Sequence, residues 1–125
     1  MRVGSGVLSV GVAVLLTVCS ACSGPSAREV TLIARGMTFE VDGQGDASNP
    51  VIKVAAGERV RLVLRNEAPG LLHDVAIPAW NVAVDPIRAG ETTEVTFTAP
   101  QAPGRAEYHC RPHAELMNGF VEVSP

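Results

Sequence analysis

Cys110, His113 and Met117 fall within eight residues of one another near the C-terminus, in Tyr108-His109-Cys110-Arg111-Pro112-His113-Ala114-Glu115-Leu116-Met117, and His73 lies far upstream. A thiolate and two imidazoles bind copper in a trigonal plane, and a weak axial thioether tunes its potential. Cys-x2-His-x3-Met therefore reads as three ligands on one tight loop, with His73 supplying the fourth from a neighbouring strand. Taken singly, His73 reads as a structural histidine on a sheet edge and Met117 as core filler. Taken together at loop spacing, the four point to a mononuclear blue-copper centre with one Cu(I)/Cu(II) ion.

The ligand count depends on the fate of the other cysteines. The chain has three, Cys19, Cys22 and Cys110. Met1-Arg2 is a short positive start, Val7 to Val18 is apolar, and small residues lead to Cys22, the layout of an export signal too short for a membrane span. Ser20-Ala21-Cys22 resembles the end of a bacterial lipobox, although Cys19 stands where leucine is usual. This reading makes 1–22 a signal peptide with lipobox, Cys22 the lipidated residue and 23–28 a polar tether. The alternative is an ordinary cleaved signal with a freely soluble product. With Cys19 removed and Cys22 lipidated, Cys110 has no disulfide partner, and a lone thiol in an oxidising compartment is a liability that a bound metal removes.

The expected domain, 29–125, is a single unit of about a hundred residues, long enough to hold a core without disulfides. With 10 Lys+Arg against 13 Asp+Glu the chain carries a formal charge of −3, which leaves no basic footprint for nucleic acid. Its body alternates with the period of half-buried strands. In Arg59 to Arg65, Val60, Leu62 and Leu64 share one face and the arginines the other; in Glu91 to Thr98, Thr93, Val95 and Phe97 share a face. Further short strands are expected at Val30–Ala34, Met37–Val41, Val51–Val54, Leu72–Ile77, Arg105–Cys110 and Phe120–Val123. Turn signals such as Asp42-Gly43, Ala56-Gly57-Glu58, Ala68-Pro69-Gly70 and Ala102-Pro103-Gly104 separate them. Long helical periodicity is missing, so the expected class is all-β, a Greek-key sandwich.

The chain resembles the cupredoxins, the plastocyanin-like blue copper proteins, over nearly the whole of this domain. The resemblance rests on Val54-Ala55-Ala56-Gly57-Glu58-Arg59-Val60, Leu64-Arg65-Asn66, Ile87-Arg88-Ala89-Gly90-Glu91-Thr92, Pro103 to Cys110, and Met117-Asn118-Gly119 leading into Phe120-Val121-Glu122-Val123. His73 to Trp80 is also similar to the copper domain of cytochrome oxidase subunit II. That relative binds two coppers through two loop cysteines, whereas only Cys110 is present in this loop. The resemblance implies metal ligands His73, Cys110, His113 and Met117, and a one-electron carrier, not an enzyme, that meets transient redox partner proteins as a monomer.

His109 precedes Cys110 in the expected strand, so it faces away from the ligands. Glu115, inside the loop, offers a harder oxygen donor should Met117 turn away. Two positions depart from the family pattern. Asp74 stands where many members have asparagine, and a carboxylate accepts hydrogen bonds but cannot donate them. Cys-x2-His-x3-Met also lies between the loop lengths of related proteins, which leaves the methionine distance open. A carboxylate beside the site favours Cu(II), while Arg111 pushes the other way. The leading expectation is an exported carrier, lipid-anchored on the periplasmic or extracellular face of a bacterial membrane. It docks through apolar residues around His113, including Ala114 and Leu116, with Arg111 orienting an acidic partner. The alternative is copper delivery for oxidase assembly or copper tolerance; with three methionines, one the initiator, the chain has no methionine-rich stretch of the kind such proteins carry. A structural zinc module is a third reading, disfavoured by Met117.

Overall fold

The computed structural model of the chain describes residues 24–125 and Gly4. The expected signal peptide, Cys19 and Cys22 lie outside the described residues. Nine strands follow in chain order: β1 Arg28–Arg35, β2 Thr38–Val41, β3 Ile52–Ala55, β4 Arg59–Asn66, β5 Ala76–Ile77, β6 Val82–Ala83, β7 Thr92–Thr98, β8 Gly104–His109 and β9 Asn118–Ser124. They form two sheets, β2-β1-β4-β7 and β3-β9-β8-β5-β6. Each sheet contains one parallel pair, β1 with β4 and β3 with β9, and is otherwise antiparallel. The all-β sandwich expected from the alternation is thus observed.

The period-2 pattern decides which faces meet. Val30, Leu32 and Ala34 of β1 and Val60, Leu62 and Leu64 of β4 are buried toward the second sheet, which returns Val54, Ala106, Tyr108, Val121 and Val123. Side chains on such inner faces interdigitate to make the core of a sandwich. On the outward face of the first sheet, Arg61 pairs with Glu29 and Glu94, one on each neighbouring strand. These exposed ion pairs fix register and solubility more than they add stability.

Expected and observed strands agree to within a residue or two, except at Leu72–Ile77. There only Ala76–Ile77 is strand, and His73 makes an isolated bridge with Ile87. The reason is local. His73 exchanges both backbone hydrogen bonds with Ile87, at 3.1 and 2.8 Å, while the Val75 carbonyl accepts the Val84 N–H at 3.0 Å. The chain between them serves separate partners instead of one ladder. A 3-10 turn, Pro78–Trp80, and the short β6 follow, neither evident from alternation. Proline suits the first position of such a turn because the N–H it lacks is unpaired there in any case.

At one end of the sandwich, the β4–β5 connection and the β8–β9 loop come together. Asn66, fully buried at the end of β4, organises the first: its Nδ2 donates to the carbonyls of Leu71 and Ile87, and its Oδ1 accepts the Ala68 N–H. His73 is thereby held from both sides.

Candidate metal centre

The β8–β9 loop is closed by its own backbone. The Cys110 N–H donates to the Met117 carbonyl at 3.0 Å, and the His113 N–H to the Cys110 carbonyl at 3.1 Å. The Leu116 and Met117 N–H groups both donate to the His113 carbonyl. Arg111–His113 forms a 3-10 turn with Pro112 at its start, so the ring stiffens the loop without removing a needed donor. Asn49 steadies the far side, donating from Nδ2 to the Leu116 carbonyl at 2.9 Å while its Oδ1 accepts the Phe39 N–H.

This folding brings three of the expected ligands together. The Nδ1 atoms of His73 and His113 each lie 3.6 Å from the Cys110 sulfur. The donor atoms of His73, Cys110 and His113 all lie within 4.8 Å of one another. A single ion with nitrogen and sulfur bonds of about 2.0–2.3 Å fits between donors so spaced. Met117 is fully buried and joined through its backbone to both Cys110 and His113. His73 and Cys110 are also fully buried, whereas His113 is half-buried and reaches the surface.

Burial, and then the neighbouring His113, hold the His73 imidazole below the usual histidine range; the Gly36 carbonyl and Asp74 pull weakly the other way. Burial pushes the Cys110 thiol up, and the Asp74 and His113 backbone N–H groups oppose that rise. Two buried groups that resist charging when empty, with nitrogen and sulfur donors aimed at one point, are suited to a soft or borderline cation.

The other expected residues sit elsewhere. His109 pairs with Ala76 across the sheet and places its Nδ1 3.6 Å from the Glu107 carboxylate, outside the donor cluster. Glu115 is exposed and likewise not among the converging groups. Asp74 and Arg111, read separately in the sequence, are joined: Asp74 accepts the Arg111 backbone N–H at 2.7 Å and its Nε at 2.6 Å. The Arg111 guanidinium also donates to the Val84 carbonyl, so two of its nitrogens face inward rather than toward a partner. Asn49 was not legible as part of the site; its positive φ and its reach to Leu116 exist only in the fold.

The family model of copper binding proteins of the plastocyanin/azurin type matches residues 48–124. The chain belongs to that family. Copper is accordingly the cofactor of this cupredoxin, and its donor set suits that ion. No curated protein matches the sequence. Among solved structures, the dithionite-reduced auracyanin of the photosynthetic bacterium Roseiflexus castenholzii is similar at 20% identity and a TM-score of 0.61, over 82% of this chain and 100% of that one. The copper-containing nitrite reductase of Thermus scotoductus is similar at 28% identity and a TM-score of 0.60, over 80% of this chain but only 28% of the enzyme's. The periplasmic domain of cytochrome oxidase subunit II of Bradyrhizobium japonicum is similar at 17% identity and a TM-score of 0.57, over 80% of this chain and 86% of that domain. The likeness to auracyanin and to subunit II is one of fold. Among the described residues Cys110 is the free cysteine, which suits one copper and not a thiolate-bridged pair.

Proposed function

We propose that this cupredoxin is a one-electron carrier that holds a single copper ion through His73, Cys110, His113 and Met117 in a type 1 site. The observation that carries the reading is the convergence of three donors in a buried pocket from which His113 alone reaches the surface. Copper bound there supplies a Cu(I)/Cu(II) couple. Four protein donors leave no open position for a substrate, which supports carriage over turnover. The hydrogen-bonded loop and the Asn66-anchored β4–β5 connection keep the donors in place whichever oxidation state is present, and that rigidity favours rapid electron exchange.

Around the His113 edge, Leu116 is 59% exposed, and Met37, Pro112 and Ala114 line the same surface together with Arg111 and Glu115. A small contact centred on the exposed Leu116 suits a transient redox partner. The export signal and the lipobox cysteine Cys22 support a monomer tethered by lipid to the periplasmic or extracellular face of a bacterial membrane. No helix among the described residues is long and apolar enough to cross a membrane.

Titration of the metal-free protein with Cu(II), followed by absorption and EPR, tests the reading. An intense thiolate-to-copper band, narrow copper hyperfine splitting and reversible bleaching by a reductant are expected. A colourless protein that holds Cu(I) or zinc without reversible redox behaviour would move the reading to copper delivery or a structural metal.

A further inference from the structure

Asp74 follows His73 and Arg111 follows Cys110, so each is covalently tied to one ligand-bearing segment. The Asp74 side chain is only 1% exposed, while that of Arg111 is 49% exposed. A carboxylate removed from water is costly unless paired and hydrogen-bonded. Here both oxygens are used: Oδ1 takes the Arg111 backbone N–H and Oδ2 takes Nε. The other arm of the guanidinium reaches the Val84 carbonyl at 2.8 Å, and the Val84 N–H returns to Val75, the residue after Asp74. The circuit crosses from one ligand segment to the other and closes on itself.

We propose that Asp74 and Arg111 form a charge-neutral clamp that positions the two ligand segments and sets the copper potential by the balance of their charges. This rests on the type 1 copper reading above. The chemistry explains why the two residues occur as a pair. An asparagine at position 74 would still accept the backbone N–H of residue 111 through its oxygen. Its NH2 would then face the Arg111 Nε–H, donor against donor. A carboxylate accepts from both, so aspartate at 74 calls for arginine at 111. Negative charge beside the site stabilises Cu(II) and positive charge stabilises Cu(I). Paired, the two effects oppose each other; with one partner gone, the other is unmasked in a poorly screened environment.

The test uses the full chain loaded with copper, with potentials read by titration against redox mediators. Asp74→Asn is expected to raise the potential and Arg111→Gln to lower it, each moving the Cu(I)/Cu(II) ratio at fixed ambient potential by about tenfold. The double variant returns toward the wild-type value. Shifts of the same sign in the two single variants, or no shift in a copper-loaded Asp74→Asn protein, would overturn the charge balance. If Arg111→Gln fails to fold around a bare carboxylate, Arg111→Lys replaces it: charge is kept and the fork lost, so the potential stays near wild type, and a shift as large as that of Asp74→Asn counts against the proposal.

The positioning role is read separately in metal-free protein, from hydrogen exchange at the residue 111 amide. Protection is expected to persist in Asp74→Asn and to be lost in Asp74→Ala; equal protection in both would remove the clamp. Should the wild type show no thiolate-to-copper band, the copper reading falls and the charge balance with it, while amide exchange still decides whether Asp74 holds the loop.

Discussion

His73 is the residue on which most constraints meet. Its backbone is paired on both sides with Ile87, its ring is buried, and its Nδ1 faces the Cys110 sulfur. Burial and His113 lower its pKa, so in metal-free protein the folded ring stays neutral where the unfolded one, with a value of about 6.5, takes a proton. The unfolded state then binds more protons, and stability falls as pH drops below about 6.5 toward the lowered folded value. Denaturant midpoints of metal-free protein are expected to decline between pH 7.5 and 5, and His73→Gln to flatten that decline; an equal slope in the variant would assign it to other groups. At Cys110 the thiol is raised by burial, so it enters the metal-free protein protonated at neutral pH. Copper loading at pH 7 is therefore expected to release about one proton, detectable with an indicator dye and absent in Cys110→Ser.

The elements that aim these residues are β8, β9 and the loop between them. Tyr108, two residues before Cys110, is fully buried, and its hydroxyl donates to the Pro50 carbonyl at 2.7 Å. Across the sheet it pairs with Gly119, and a Cβ at that position would stand 2.6 Å from the tyrosine ring. The glycine is required there by close approach, not by an unusual φ. Gly119→Ala is expected to force the ring out of place at a cost of about 1–3 kcal/mol. The shift would be read as a lower denaturation midpoint together with a changed copper spectrum, because the strand that moves leads directly into Cys110. A stable variant with an unchanged spectrum would show that the ring can yield without disturbing the loop.

On the scale of the molecule, the sandwich buries the metal site at one end and exposes the His113 edge beside Leu116, Ala114 and Pro112. The pairs of Arg61 with Glu29 and Glu94 lie instead on the outward face of the β2-β1-β4-β7 sheet, and Arg105 pairs with Glu122 across β8 and β9. Beside the proposed contact lie Arg111, paired with Asp74, and the exposed Glu115, while Leu116 offers the apolar area that suits a brief encounter. Leu116→Asp is expected to slow electron self-exchange about tenfold or more, because the contact then buries an uncompensated charge. The reduction potential is expected to change little, since Leu116 points outward from the loop. Self-exchange measured by line broadening in mixed oxidised and reduced samples checks this, and an unchanged rate would place the contact elsewhere.

Much of this was legible before folding. Alternation in Arg59 to Arg65 and Glu91 to Thr98 is a local property of the chain, and it set the all-β class and the inner faces of β4 and β7. The identity and spacing of Cys110, His113 and Met117 were equally local, because one loop carries all three, and so was the turn of His109 away from the ligands, fixed by strand alternation. What the sequence alone did not determine depends on partners distant in the chain. His73 left its expected strand because Ile87 and Val84 compete for its neighbours. Asn49 joined the loop from 67 residues away. Asp74 and Arg111, two opposed charges in the sequence, became one ion pair around a buried carboxylate only when the β4–β5 and β8–β9 segments met. Side-chain type states which bonds a residue is able to make, but hydrogen bonds act over about 3 Å, and only the tertiary fold decides which groups come that close.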